Sequence, residues 1–424
     1  MRTKGAVVFL LWLAVLLDGF DLVVLGASMP AMLDDPNWHL DPAGATQIST
    51  AGLVGMTLGA LFIGAATDKL GRRKVMIFSV LAFSVLTLAM GFTYNFWLFL
   101  TLRFLAGVGL GGCLPTAISM VTEFRGRAKA GSSTTTVMTG YHVGAVLTAF
   151  LALFLINPFG WHSMFIAGAI PGLILAPLMY FLLPESPDFL RVTGRDQEAR
   201  QIASQYGLSL EEASAGVPQV EEQAGAAALL RPPYLRNSIA VWVTSFMGLL
   251  LVYGLNTWLP QIMRQADYDM GNALGFLMVL NIGAVVGLVI AGQVSDKYSP
   301  RRSGLVWFVL SALFLAMLAI RMPMPVLYTV VFLTGVFVFS SQNLVYAFVG
   351  ENHPSNLRAT AMGISAGIGR LGAISGPMLG GLLVHKDLAN PWGFYSFAIV
   401  GLAGAVFFSL TKPLVTIDRD GAKR

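Results

Sequence analysis

Long apolar runs alternate with short polar stretches through almost the whole chain. A membrane-crossing helix needs about 20 mostly apolar residues. Twelve runs meet that need: 6–29, 46–67, 75–92, 96–121, 131–156, 162–183, 239–263, 272–294, 303–322, 325–349, 360–384 and 391–411. We number them spans 1 to 12. Spans 9 and 10 are divided only by Met322-Pro323-Met324-Pro325. Span 1 follows Arg2 and Lys4, as a signal peptide would. It outruns a usual signal core and carries two aspartates, so it reads as a retained helix. The longest polar stretch, 184–238, divides the runs six and six. The expected organisation is a six-helix bundle over 1–183, a partly helical cytoplasmic linker over 184–238, a second bundle over 239–411 and a cytoplasmic tail over 412–424.

Composition sharpens this picture. Of 424 residues, 55% are hydrophobic and 12% charged. A soluble domain carries about a quarter charged residues. The chain is therefore no ordinary cytosolic enzyme, disordered tail or nucleic-acid binder; it is an all-α membrane protein set in a lipid bilayer. A net charge of +5 is too small and scattered to imply a polyanion partner. Its distribution matters more. With the N-terminus inside, 22 of the 27 Lys and Arg residues lie on inner segments, against Arg264, Arg321 and Lys386 outside. That asymmetry satisfies the positive-inside rule and predicts two cytoplasmic termini. A lone cysteine, Cys113, excludes a disulfide framework.

A repeat is visible at an offset of 228. Gly64-x3-Asp68-Lys69 ends span 2 and Gly292-x3-Asp296-Lys297 ends span 8; Glu123 and Glu351 follow spans 4 and 10 at the same offset. His142 and Arg370 also coincide, as do Gly144 and Gly372, in a register that could slip by one. Two repeated halves that rock about a midplane site are the expectation. Convergent basic-loop chemistry is the plainer alternative.

The segment Gly64-Ala65-Ala66-Thr67-Asp68-Lys69-Leu70-Gly71-Arg72-Arg73-Lys74 resembles the loop 2–3 signature of the major facilitator superfamily. In the second copy, Ser299-Pro300 displaces the arginines by one. Arg103-Phe104-Leu105-Ala106-Gly107-Val108-Gly109 resembles the family's helix-4 motif. Pro184-Glu185-Ser186-Pro187 and Glu351-x2-Pro354-x3-Arg358 resemble its sugar and organic-acid branches. Asp18-Gly19-Phe20-Asp21, Gly254-Leu255-Asn256-Thr257-Trp258-Leu259-Pro260 and Gly369-Arg370-Leu371-Gly372 are similar to the aromatic acid:proton symporters. The resemblance implies twelve helices in two six-helix bundles around a central cavity. It implies proton-coupled uptake of benzoate-like or hydroxybenzoate-like anions, with H+ as coupling ion and no cofactor, across a bacterial inner membrane. A monomer suffices. A breakable cytoplasmic lock follows, with Gly64, Asp68, Arg72 and Arg73 in the first half and Asp296, Glu351 and Arg358 in the second.

Four formal charges fall within spans: Asp18, Asp21, Arg103 and Arg370. Each costs about 2.5–3.5 kcal/mol on insertion scales, so each is a functional candidate. Asp18 and Asp21 are spaced i, i+3 and share a helix face. Two carboxylates so close in low dielectric cannot both ionise cheaply and titrate together, as proton coupling requires. A purely structural pair is the alternative. Asp21 and Arg103 both lie about 10–12 Å from the outer ends of spans 1 and 4, so a contact between them is expected. Arg103 would tune the aspartates or form a permanent salt bridge. Arg370 lies about 15 Å into span 11 and can grip a carboxylate bidentately. His142 could relay protons or simply be a neutral, satisfied histidine.

Asn256, Thr257 and Gln261 in span 7, Asn281 in span 8, and Gln342 and Asn343 in span 10 complete the mid-membrane polar set. Spans 3, 6, 9 and 12 lack such groups and are expected to face lipid. Phe20, Tyr141, Tyr253, Trp258 and Tyr346 could stack on a substrate ring, or serve helix packing. Gly107-x-Gly109-x2-Gly112 and Gly363-x-Ser365-x-Gly367 spell nucleotide and hydrolase motifs but lie inside apolar spans, without the strand each needs. No catalytic or metal-binding constellation is present. The expected cycle begins with protonation of Asp18 and Asp21. The anion then docks on Arg370, the halves rock, and the lock resets. The competing readings are an exporter, a carrier of other organic acids, and a non-transporting receptor.

Overall fold

A computed structural model describes residues 3–125, 130–208, 226–353 and 355–413, which are helical with short turns between and no strand. Spans 1 to 3 are Lys4–Leu33, Pro42–Leu70 and Arg72–Met90. Span 4 runs Phe96–Gly111 and, past Gly112, Cys113–Arg125. Spans 5 and 6 are Ala130–Phe159 and His162–Leu182. Spans 7 to 11 are Leu235–Gln265, Met270–Tyr298, Pro300–Met317, Met324–Asn352 and Ser355–His385; span 12 is Ala389–Gly393 continued by Phe394–Ser409. Between the sixes lie two short helices, Pro187–Val192 and Asp196–Tyr206, and a 3-10 turn, Ala226–Leu230.

Eleven of these helices are long and apolar enough to cross a membrane. The ninth is the exception, for a local reason. It is 18 residues long and opens with Pro300-Arg301-Arg302, so two cations occupy its first turn. The division between spans 9 and 10 falls where the two prolines place it: Leu318 caps the first helix and Pro323 the second. Span 2 starts four residues before its apolar run because the Asp41 side chain caps it and Pro42 takes the first turn.

The 228-residue repeat holds in three dimensions. In span 2, β-carbons on Gly55 and Gly59 would lie 2.2 and 2.1 Å from the carbonyl oxygens of Phe104 and Val108 in span 4. In span 8, Gly283 and Gly287 meet Phe332 and Val336 of span 10 at 2.2 and 2.3 Å. All four pairs keep the offset. Only glycine permits such an approach, the usual device where lipid offers no hydrophobic drive between helices. The turn after each of spans 2 and 8 repeats as well: Gly71 has φ +94° and Ser299 φ +119°. Arg73 donates to the carbonyl of Tyr180 near the end of span 6 (2.5 Å). Its counterpart Arg301 donates to the carbonyls of Ser409 and Thr411 at the end of span 12 (both 2.9 Å). Helix C-termini leave such carbonyls unpaired, and a cation there is favourable.

The chain forms two compact units. One holds the first six spans with Asn256–Asn281 and Val384–Lys386. Within it span 1 packs on span 5, span 2 on span 4 and span 3 on span 6. The other holds span 7 up to Leu255, Ile282–Leu383 and the segment from Asp387. There span 9 packs on spans 10 and 12, and Phe408 meets both Phe308 and Phe348.

Candidate functional site

In the first unit, Asp18 and Asp21 are each 2% exposed on span 1. Arg103 of span 4 forms a buried salt bridge with the Asp21 carboxylate. Its second amino group donates to the Asp21 backbone carbonyl at 3.1 Å. Asp21 and Arg103 are thus paired, as their matching depths in spans 1 and 4 led us to expect. Gly52 of span 2 makes room for the pair: a β-carbon there would lie 2.9 Å from Arg103 Nε and 3.2 Å from Cγ. Nothing in the sequence singled out Gly52, one glycine among 46.

Span 5 backs the same layer. The Tyr141 carbonyl lies 1.8 Å from where a β-carbon of Gly19 would be, so spans 1 and 5 touch backbone to backbone between the aspartates. His142 is therefore at the level of Asp18 and Asp21. It is buried, and its Nδ1 has no hydrogen-bond partner. Thr148 donates to the carbonyls of Phe20 (3.3 Å) and Gly144 (2.8 Å).

Asn256 and Asn281 are fully buried, and the Asn281 amide donates to Asn256 Oδ1 at 3.1 Å. Gly26 of span 1 is packed against the Asn256 carbonyl. Trp258 is fully buried in the same unit. Asp34 and Arg264 form a salt bridge at 2.8 Å.

In the second unit, three spans bring four of the expected binding residues together. Tyr346 of span 10 lies beside Gln342, without a hydrogen bond of normal geometry, and within electrostatic reach of Arg370 and Tyr253. Arg370 is half-buried at the middle of span 11. Tyr253 and Gln342 are 8% and 3% exposed, and Gly248 of span 7 leaves space for the Gln342 carbonyl. Asn343, one residue on, is exposed.

At the expected lock, Arg72 pairs with Glu123 at the end of span 4. Ser186 joins the two: it accepts from Arg72 (3.1 Å) and donates to Glu123. The Arg73 amide donates to Glu185 Oε1 at 3.0 Å, and its guanidinium lies over the Tyr180 ring at 5.5 Å. Glu123, Glu185 and Ser186 were legible only as a repeat landmark and a family motif; their assembly into one network was not. The surroundings of Gly64, the Asp68 side chain and Pro354 lie outside the described residues. Pro300 stands where Arg72 would repeat, so the second copy departs at that position. Asp296 is exposed, Glu351 half-buried, and Arg358 donates to the His353 carbonyl at 3.4 Å.

Comparison with known proteins agrees with this architecture. The chain matches the family model of the Major Facilitator Superfamily over residues 11–374 and 277–423. It is 34% identical to the gentisate transporter of Corynebacterium glutamicum, covering 96% of this chain and 87% of that protein. It is 32% identical to the benzoate transport protein of Acinetobacter baylyi (94% and 88% covered) and 33% identical to the gallate transporter of Pseudomonas putida (94% and 90%). The xylose transporter XylE from E. coli, in a partially occluded inward open conformation, shares the fold at TM-score 0.77 and 16% identity, over 97% of this chain and 98% of that one.

Proposed function

We propose a function from one premise: the chain belongs to the Major Facilitator Superfamily and is a membrane transporter. Its substrate is a small aromatic carboxylate of the benzoate or hydroxybenzoate type, taken up with a proton by alternating access. The observation that carries this reading is Arg370. A guanidinium retained at the middle of a membrane span is costly, and it lies within electrostatic reach of Tyr346, which also neighbours Gln342 and Tyr253. Relatives at 32–34% identity carry gentisate, benzoate and gallate. A planar fork suits a carboxylate, and the tyrosines suit a ring.

The proton reading rests on span 1. Arg103 pairs with Asp21, and Asp18, one turn away on the same helix, takes and releases the proton. His142 lies at the same level and is the second candidate carrier. The Arg72–Glu123–Ser186 network breaks and re-forms in each cycle. Only different affinities in the two states drive such a cycle. The transporter works as a monomer in a bacterial inner membrane with both termini in the cytoplasm.

The test is uptake of labelled benzoate into proteoliposomes with and without an imposed pH gradient. Uptake accelerated by an inward proton gradient supports symport; acceleration by the opposite gradient indicates export, and indifference removes proton coupling. Arg370→Lys keeps the charge but loses the fork and is expected to cut uptake at least tenfold. Full activity in that variant removes Arg370 from carboxylate binding. A competition panel of aromatic and aliphatic acids separates this substrate class from other organic acids.

A further inference from the structure

A second cationic, aromatic-walled recess lies in the first unit, away from every residue assigned above. It occupies about 360 Å³ between the starts of spans 1 and 5 and the end of span 4. Lys4, Phe9, Trp12, Arg125 and Thr136 line it. Its walls are pre-set by hydrogen bonds. Arg125 donates to the Thr136 hydroxyl at 2.6 Å, and the Trp12 indole donates to the Thr139 hydroxyl at 3.0 Å. Thr139 in turn donates to the Thr136 carbonyl at 2.6 Å. One short stretch of span 5 therefore fixes both an indole from span 1 and a guanidinium from span 4. Phe9 lies parallel to Trp12, with centroids 6.0 Å apart, and is 57% exposed. Lys4 bonds the Gly207 carbonyl at 2.9 Å, which uses one of its three donors.

We infer that this recess is a release-side binding site for aromatic carboxylates. The inference rests on the substrate class and orientation proposed above. The complementarity is twofold: two cations for one carboxylate, and the exposed face of Phe9 for one ring. The volume lies at the low end of small-ligand sites, which run from about 300 to 1,000 Å³, and suits a single-ring acid better than a lipid chain. Substrate leaving toward the inner face would pause here, so occupancy governs the affinity of that face alone.

The experiment compares the two faces. Intact cells present the outer face and inverted membrane vesicles the inner one. In Arg125→Gln, the KM for benzoate at the inner face is expected to rise about tenfold, the scale of one charge-assisted hydrogen bond. The KM at the outer face stays within about twofold of the parent by the same reasoning. Phe9→Ala removes an exposed ring without touching any hydrogen bond, which guards against misfolding. It is expected to weaken inner-face benzoate binding about fivefold and cyclohexanecarboxylate binding less, since only the former stacks. Equal shifts on both faces, no shift in either variant, or a shift present only in membranes rich in anionic lipid would each overturn the site. Unsubstituted vesicles that carry no benzoate overturn the underlying substrate reading and this site together. Unsubstituted vesicles that carry it, with variants unchanged, overturn the site alone.

Discussion

A carboxylate and a guanidinium placed in a membrane are each expensive until they meet. Asp21 and Arg103 meet with both side chains buried. Removing one partner strands the other's charge and costs about 3–5 kcal/mol, whereas removing both costs less than the sum. Asp21→Asn and Arg103→Gln should each lower the thermal midpoint of the detergent-purified protein, and the double substitution should recover part of the loss. Gly52→Val should mimic the single changes, because its methyls need the space that holds the Arg103 stem. Equal stability of Gly52→Val and the parent would show that Arg103 can move aside. The ion pair was legible because charge in a span is rare and depth can be counted at a fixed rise. Gly52 was not, since a small residue announces nothing until its neighbour is known. His353, at the end of span 10, gives a pH prediction. Burial holds its pKa below the ordinary histidine value; the Val349 carbonyl opposes this and the Arg358 charge adds to it. The fold therefore favours the neutral ring. Its contribution is complete above about 6.5, the unfolded value, and is lost as pH falls below it toward the folded pKa. His353→Gln should flatten the decline in thermal midpoint between about pH 7.5 and pH 5.5.

At the scale of elements, the repeat explains why certain residues recur and where the copies differ. Glycines at 55 and 59, and again at 283 and 287, let spans 2 and 8 touch spans 4 and 10. Arg73 and Arg301 hold the ends of spans 6 and 12. The turn preceding each arginine needs a positive φ, which Gly71 adopts without strain and Ser299 does not. A serine in that region stores roughly 1–3 kcal/mol, offset slightly by its weak bond to the Arg302 amide. Ser299→Gly should therefore stabilise the protein by about 1 kcal/mol, after glycine's larger unfolded-chain entropy is counted. An unchanged or lower thermal midpoint would mean that the serine cap matters more than the strain. Helix boundaries were legible to within five residues, because apolar run length and breakers such as Pro323 act locally. The network of Arg72, Glu123, Glu185 and Ser186 was not. Its members are ordinary polar residues on three separate inner segments, and only folding brings them together.

For the whole molecule, the proposed orientation is the reading with the simplest cause. The basic residues cluster on alternate loops, and a membrane potential and anionic leaflet act on them during insertion. Alkaline phosphatase fused after Thr193 should be inactive and the same enzyme fused after Asp267 active; the reverse result would invert the topology and remove the inner-face reading of the Lys4–Arg125 recess. Sequence alone determined the class, the succession of apolar helices and the four costly charges, and it predicts an orientation, because each follows from one-dimensional facts: run length, side-chain type, loop composition and depth along a helix. It also determined the repeat, which is a matter of register. Tertiary structure decided which groups touch. It set Gly52 against the Arg103 stem, brought Tyr253, Gln342 and Arg370 around Tyr346 from three spans, and shaped the recess beside Trp12. Those contacts depend on how closely helices approach and rotate, which glycine positions across the whole chain set jointly and no single segment encodes.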